Sequence, residues 1–180
     1  MTHFVQIVLW SLMGAAIYSA AAVFALKSDS TTLERLEKLT RNPVIGLLFG
    51  WFALLCCVPH AEAVSPGFLL KFLYPLAIIV PIIGYFKVDY PASRAISGPL
   101  ILCAYNLIHL SFDDALAATP LYAACGWVSG AFAIWCSGLP WTWRDIARAC
   151  AANRKKRIAF AAVFSVFALI YVSRLGVALL

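Results

Sequence analysis

The sequence is poor in charge. Only 12% of its 180 residues are charged, whereas 63% are hydrophobic, and its mean hydropathy is +0.89. Soluble domains carry about 25% charged residues, and a chain of this length has too little interior to hide so much apolar surface. The composition therefore excludes an ordinary soluble domain and predicts a membrane protein whose first partner is the lipid bilayer.

Signatures of known chemistry are also missing. The chain has no C-x-x-C pair, Walker motif, dinucleotide fingerprint or C-x-x-C-H haem attachment site. We therefore predict no cofactor and no catalytic residue, although a non-covalent haem bound by His60 or His109 stays open. The cysteines mostly lie in apolar runs, where we expect small, free, buried thiols. They are Cys56, Cys57, Cys103, Cys125, Cys136 and Cys150.

Long apolar runs fill most of the chain. A membrane-spanning helix needs about 20 mainly apolar residues. The sequence predicts an all-α fold in one domain, residues 1–180, with six such spans. Their expected bounds are 4–26, 44–58, 68–86, 96–112, 120–139 and 158–177.

Basic residues are concentrated after the first, third and fifth spans. Only Lys71 and Arg174 lie on the other side, near helix ends from which their side chains can reach water. The positive-inside rule then predicts that both termini lie outside and that the three basic loops are cytoplasmic, as in a bacterial inner membrane. This placement at helix ends reports topology and argues against a nucleic-acid partner. The residues of the basic loops are Lys27, Arg35, Lys38, Arg41, Lys87, Arg94, Arg144, Arg148, Arg154, Lys155, Lys156 and Arg157.

Two of the basic loops have helical patterns of their own. Thr31-x-x-Glu34 has the form of a capping box, and Asn42-Pro43 ends that segment. The second segment, Thr142–Ala152, follows Pro140 and carries tryptophans suited to the headgroup zone. We predict two short amphipathic cytoplasmic helices on the membrane surface, with the binding of a soluble partner as the alternative.

Small residues mark the expected packing surfaces. Gly46-x-x-x-Gly50 and Gly126-x-x-x-Gly130 lie in the second and fifth spans, the middle spans of the two halves. In lipid, small residues let helices approach closely, so these faces suit helix packing within one chain or with other subunits. Six spans give the halves opposite orientations, the arrangement of an inverted repeat. We expect a homo-oligomer or an assembly with partner membrane subunits.

The stretch from Leu100 to Asp114 combines a membrane span with polar groups. Cys103, Asn106 and His109 recur every third residue, and Asp113 follows four residues later, so one broad helix face is expected to carry them. Ionisable groups in a bilayer are costly and usually face protein or a cavity. Asn106 and His109 are therefore the leading candidates for a pore or substrate site. Other polar candidates within the spans are Tyr105, Tyr122 and Ser129.

The predicted topology brings the histidines to the outer side. His60 and Glu62 follow the second span, while His109 and Asp113 lie near the end of the fourth. Imidazole and carboxylate groups suit zinc, iron or copper, and they equally suit a proton relay. Solvation of the loops, with no site at all, is the simplest alternative.

Three functions follow as hypotheses. The first is a small transporter or channel-like protein of unknown substrate. The second is a non-catalytic membrane subunit or accessory factor of a larger complex. The third is a membrane enzyme with an outer-face histidine and carboxylate site that uses a metal or a proton.

Overall fold

A computed structural model describes residues 3–113 and 118–179 of the protein, with the backbone alone at His3, Ser30 and Asp113. Within these ranges all regular secondary structure is helical and there is no strand, which confirms the predicted all-α class. The helices are α1 (His3–Leu26), α2 (Ser30–Thr40), α3 (Pro43–Glu62), α4 (Gly67–Lys87), α5 (Pro91–Asp113), α6 (Thr119–Gly138), α7 (Thr142–Ala152) and α8 (Arg154–Leu179).

Six of these helices are long and apolar enough to cross a membrane: α1, α3, α4, α5, α6 and α8. Two of them begin several residues earlier than expected, and α3 ends at Glu62 rather than at residue 58. α5 starts at Pro91 rather than at residue 96, because the hydroxyl groups of Ser93 and Ser97 donate hydrogen bonds to backbone carbonyl oxygens. α8 starts at Arg154, so the basic run forms its first turn. The chain is thus a multi-pass membrane protein.

The two short helices are where the sequence places them, but the start of α2 differs from the prediction. Asp29, not Thr31, caps α2, since its carboxylate accepts the backbone N–H of Thr32 at 2.7 Å. Thr31 instead donates its hydroxyl to the same carboxylate. Asp is at least as good an N-cap residue as Thr, and a negative charge at the N-terminus of a helix suits the helix dipole. α7 has the bounds predicted for it.

α5 is the central helix of the bundle. Its most apolar window is 56% buried, against 11% for α4. α5 packs on α3, α6 and α1, α1 packs most extensively on α8, and α4 packs mainly on α3. In an inverted repeat, α1, α3 and α4 of the first half would correspond in order to α5, α6 and α8 of the second. The pair α5 and α4 would then pack as extensively as the pair α1 and α8. The two pairs differ, so the packing does not follow the expected inverted repeat.

Glycines bring α3 and α6 close to α5. A Cβ atom on Gly46 would lie 2.7 Å from Pro91 Cβ and 2.8 Å from the Pro91 carbonyl carbon. One on Gly126 would lie 2.5 Å from Ile108 Cγ1. Gly50 faces Pro81 of α4 instead, at 3.3 Å. In lipid the hydrophobic effect does not drive helices together, so their association depends on close packing of this kind.

One end of the bundle carries the basic loops and both short helices, and we call it the basic end. Tyr90 connects its parts from the short link between α4 and α5. Its hydroxyl accepts hydrogen bonds from Arg41 at 3.0 Å and from Arg144 at 3.4 Å. Its φ of 55° is uncommon for a residue with a bulky side chain. A strained tyrosine thus joins the ends of α2, α5 and α7.

Candidate functional site

The polar residues of α5 divide between two faces of the helix. Cys103 and Asn106 are buried in the bundle, whereas Tyr105 is 43% exposed and His109 is exposed as well. The predicted shared face is therefore wrong. Each step of three residues turns a helix by about −60°, so the direction drifts by roughly 120° from residue 103 to residue 109. That drift carries His109 out of the interior.

Asn106 borders a small cavity in the half of the bundle away from the basic end. Its Nδ2 donates to the Leu102 carbonyl oxygen at 2.8 Å, one turn back on the same helix. Ser11 and Arg174 line the same cavity, whose volume is about 10 Å³. A space of about 10–15 Å³ holds one water molecule, so the site as it stands is closed to larger solutes.

Arg174 of α8 faces this cavity and not the membrane surface. Only 2% of its surface is exposed, and its Nη2 donates to the Leu110 carbonyl oxygen at 3.2 Å. The expectation that it reaches water from a helix end is thus wrong. α8 continues to Leu179 and packs on α1, which places Arg174 inside the bundle.

A second set of polar groups continues from this cavity toward the middle of the bundle. Ser129 Oγ lies 2.6 Å from the Tyr18 hydroxyl and 3.5 Å from the Tyr171 hydroxyl, and all three residues are buried. Tyr122 forms a separate 3.2 Å hydrogen bond with Ser173. We use the name polar core for the buried residues Ser11, Tyr18, Asn106, Ser129, Tyr171 and Arg174.

Aromatic rings close the polar core toward the basic end. The Tyr18 ring stacks on Phe167 with centroids 5.1 Å apart, and it lies 6.2 Å from Phe164. The hydroxyl groups of Tyr18 and Ser129 are hydrogen-bonded to each other. They therefore need no water molecule from the far side of these rings. The polar core therefore has its charged group at one side and an aromatic barrier at the other.

The histidines form a different group, on the outside of the bundle. His60 and His109 lie on either side of Tyr105, with ring centroids 5.0 Å and 5.5 Å from the tyrosine ring. The structure thus brings three predicted site residues together, but on the surface between α3 and α5 and apart from Asn106.

A metal site is not assembled by the side chains that the structure describes. Among them, no three His, Cys, Asp or Glu residues are close enough to hold an ion. His60, Glu62 and His109 therefore do not form a three-ligand cluster. The side chain of Asp113, and Asp114 as a whole, lie outside the described residues, so their part in that hypothesis stays a prediction. The same holds for haem ligation by either histidine.

Arg174, Tyr18 and Tyr171 are the interior groups that the sequence interpretation missed. A charged residue six positions before the end of an apolar run resembles a helix-end anchor by position alone. The spacing of Tyr171 and Arg174 was a usable signal, since residues three apart share a helix face. Tyr18 lies in an otherwise apolar and small-residue segment, and only its partner on α6 reveals its role.

The fold and the polar core define an α-helical multi-pass membrane protein with a buried cationic group. Comparison with protein-family models, with curated proteins and with solved structures finds no match for the chain. Its function is therefore argued from the site itself.

Proposed function

We propose that this protein is a small membrane transporter, and that its substrates are anionic solutes recognised at Arg174. The observation that carries the proposal is the burial of the Arg174 guanidinium beside Asn106, within a span. Charged residues inside membranes are rare, because burying them is costly, and they tend to mark ion and substrate pathways.

The sign of the charge selects the substrate class. A fixed guanidinium repels cations over the short distances and low effective dielectric of a bundle interior. A guanidinium also carries its N–H donors in a planar fork that matches carboxylate and phosphate oxygens, and one donor of Arg174 already bonds the Leu110 carbonyl oxygen. Asn106 and Ser11, which share the cavity, add neutral hydrogen-bonding groups that could orient such a substrate.

The structure corresponds to an occluded state of such a transporter. Its polar cavity holds about 10 Å³, which is too small for an organic anion. Substrate entry therefore requires the outer parts of α1, α5 and α8 to separate around Arg174. The aromatic layer of Tyr18, Phe164 and Phe167 would serve as the gate on the other side.

Uptake into liposomes tests the proposal. Purified protein is reconstituted and offered radiolabelled succinate, phosphate or sulfate, with rubidium as a cation control. We expect at least one anion to enter faster than into empty liposomes and rubidium not to. Arg174→Gln should lower that uptake by about tenfold or more, where tenfold corresponds to about 1.4 kcal/mol. Asn106→Leu should lower it as well.

Matched variants separate charge at the site from charge in general. Lys71→Gln removes a basic residue from the same side of the membrane, but from the exposed surface of α4. We expect normal uptake from it and from His109→Leu, which alters the exposed histidine group beside Tyr105. Size-exclusion profiles establish that each variant is folded. Equal uptake by Arg174→Gln and the original protein, or no anion uptake at all, refutes the proposal.

A second candidate function rests on α4. This helix is only 11% buried and packs mainly on α3, so most of its surface is left for lipid or another subunit. That exposure favours a membrane subunit, or a homo-oligomer assembled through α4. Cross-linking through single cysteines on the exposed face of α4 tests it. Capture of a second copy or a partner there supports this candidate, and a monomer in intact membranes contradicts it.

A further inference from the structure

A second cavity lies at the basic end, between the membrane spans and the two short helices. Its volume is about 270 Å³, well above the roughly 150 Å³ of apolar cavities known to admit benzene. α1, α2 and α7 contribute most of its wall, and Phe164 separates it from the polar core. It is therefore a space distinct from the site around Arg174.

The wall of this cavity is suited to hydrocarbon. Its hydroxyl groups are already engaged with backbone carbonyls: Ser28 with Phe24 at 2.9 Å, Thr40 with Glu37 at 3.1 Å, and Ser93 with Pro140 at 2.6 Å. The remaining lining is almost wholly aliphatic or aromatic. Cavities of that kind stay dry and bind apolar groups.

Lining residues on two spans mark a lateral opening of the cavity. Ala20 in α1 and Phe49 in α3 both line it and are exposed. Each lies six residues inside its helix from the basic end, at Leu26 and Pro43 respectively. At 1.5 Å per residue this depth is about 9 Å, below the headgroups and level with acyl chains.

Polar features accompany the opening at its headgroup side. Lys27, Lys38 and Arg41 are exposed and adjoin the lining residues Ser28, Leu39 and Thr40. Trp143 lines the cavity, and its indole Nε1 is buried without an acceptor in the part of the chain that the structure describes.

From this geometry we infer that the cavity binds one acyl chain of an anionic phospholipid from the leaflet that meets the basic end. The acyl chain enters between α1 and α3, and the phosphate meets the lysines and arginine at the rim. α2 and α7 then act as the cover that holds the lipid against the spans.

Native mass spectrometry of the detergent-solubilised full chain tests this inference. Dioleoyl phosphatidylglycerol, dioleoyl phosphatidylcholine and oleate are added separately. We expect one phosphatidylglycerol to be retained per protomer, with an affinity about tenfold above that of phosphatidylcholine. Equal retention of the two phospholipids, or preference for oleate, overturns the assignment of an anionic phospholipid.

Substitutions on α1 locate the lipid. Ala21→Trp places a large ring in the cavity, and we expect it to reduce phosphatidylglycerol retention about tenfold. Ala16→Trp, on an exposed part of the same helix away from the cavity, should leave retention unchanged. Retention by Ala21→Trp equal to that of Ala16→Trp overturns the inference.

A milder variant covers the case in which Ala21→Trp does not fold. Leu39 is 42% exposed at the rim, so Leu39→Glu is compatible with folding and places a negative charge beside the proposed phosphate. Phosphatidylglycerol should raise the thermal unfolding temperature of the original protein but not of Leu39→Glu. An equal rise in both contradicts the inference.

Discussion

At the scale of single residues, two glycines of α6, Gly126 and Gly130, face α5 one turn apart but at different distances. A Cβ atom on Gly126 would lie 2.5 Å from Ile108 Cγ1 and 3.2 Å from the Ala104 carbonyl oxygen. The backbone oxygen cannot turn aside as the end of a side chain can. We therefore expect Gly126→Ala to destabilise the protein by about 1–3 kcal/mol, as overpacking typically does.

Gly130→Ala is the matched control for this substitution. Its Cβ atom would lie 3.4 Å from the Ala104 Cβ atom, which is an ordinary contact. Alanine is also the better helix former by about 1 kcal/mol, so this variant should be neutral or more stable. Unfolding in mixed micelles, followed by tryptophan fluorescence, compares the two. Equal stability of both variants would show that the α5–α6 contact is looser than the structure indicates.

Asp29 is a residue whose ionisation supports local structure outside the spans. Hydrogen bonds from the side chain and backbone of Thr32, and then from Thr31, lower its pKa from 3.8 to about 2. Because the pKa is lowered in the folded state, the cap of α2 is fully present above the ordinary pKa. It is lost as pH falls from about 4 through 2. A carboxyl ¹³C NMR titration of Asp29 measures this directly, and a midpoint near 4 would contradict it.

Substitutions of Asp29 separate capping from charge. Asn accepts the same hydrogen bonds, so Asp29→Asn should keep amide protection at the start of α2 and make it independent of pH. Asp29→Ala should lose that protection at every pH, since alanine has no acceptor. Hydrogen exchange of the first turn of α2 is the measurement. Protection in Asp29→Ala equal to that of the original protein would rule out the capping role.

Single residues also show how much of the candidate site could be predicted from the sequence. Polarity within an apolar run draws attention to the region of Asn106, because a helix spaces side chains in a known way. The direction of the interior is set by which helices surround α5, and no local pattern encodes that. Asn106 is consequently inside, His109 outside, and Arg174 joins Asn106 only through the packing of α8.

At the scale of elements, the short helices are attached to each other as well as to the spans. Arg148 of α7 lies 2.6 Å from the Glu37 carboxylate of α2, with side chains 52% and 31% exposed. An ion pair this exposed contributes only about 0–1 kcal/mol. It does, however, fix which face of α2 meets α7, over the cavity that we assign to lipid.

Exchanging the two charges tests that attachment. Glu37→Arg puts two cations together, and we expect faster hydrogen exchange in α2 and little change in the spans. The double variant Glu37→Arg with Arg148→Glu restores an opposite pair and should recover most of the protection. Lys87→Gln is the control, because Lys87 is an exposed basic residue at the end of α4 rather than on α2 or α7. Failure of the double variant to recover would mean that the pair does not position α2.

Elements also show which boundaries could be predicted. α7 could be predicted because its eleven residues have an amphipathic pattern and are flanked by Pro140 and Asn153. α5 begins at Pro91 although Ser93 and Ser97 interrupt the apolar run. Their hydroxyls bond the carbonyls of Pro140 and Ser93, and the first of these partners lies 47 residues away. A boundary fixed by so distant a partner is not visible in local composition.

At the scale of the whole molecule, six spans require both described ends of the chain to lie on one side of the membrane. The structure groups both short helices with the basic loops at the opposite end. We expect the basic end to face the cytoplasm, since cytoplasmic loops are enriched in Lys and Arg. The proposed anion site and the proposed lipid cavity would then belong to opposite sides: Arg174 toward the outside, and Trp143 toward the cytoplasm.

Reporter fusions determine this orientation. Alkaline phosphatase is active only outside a bacterial inner membrane, and green fluorescent protein exported there by the general secretory route does not fluoresce. A fusion after Leu180 should therefore give phosphatase activity without fluorescence. A fusion after Asn153, in the break between α7 and α8, should give the reverse.

Replacing Arg154, Lys155, Lys156 and Arg157 by glutamine should weaken this contrast, because these residues are the densest basic group next to a span. The inverted pattern at both positions would place the basic end outside. It would also move the proposed phospholipid to the other leaflet and make the Arg174 side the cytoplasmic entry.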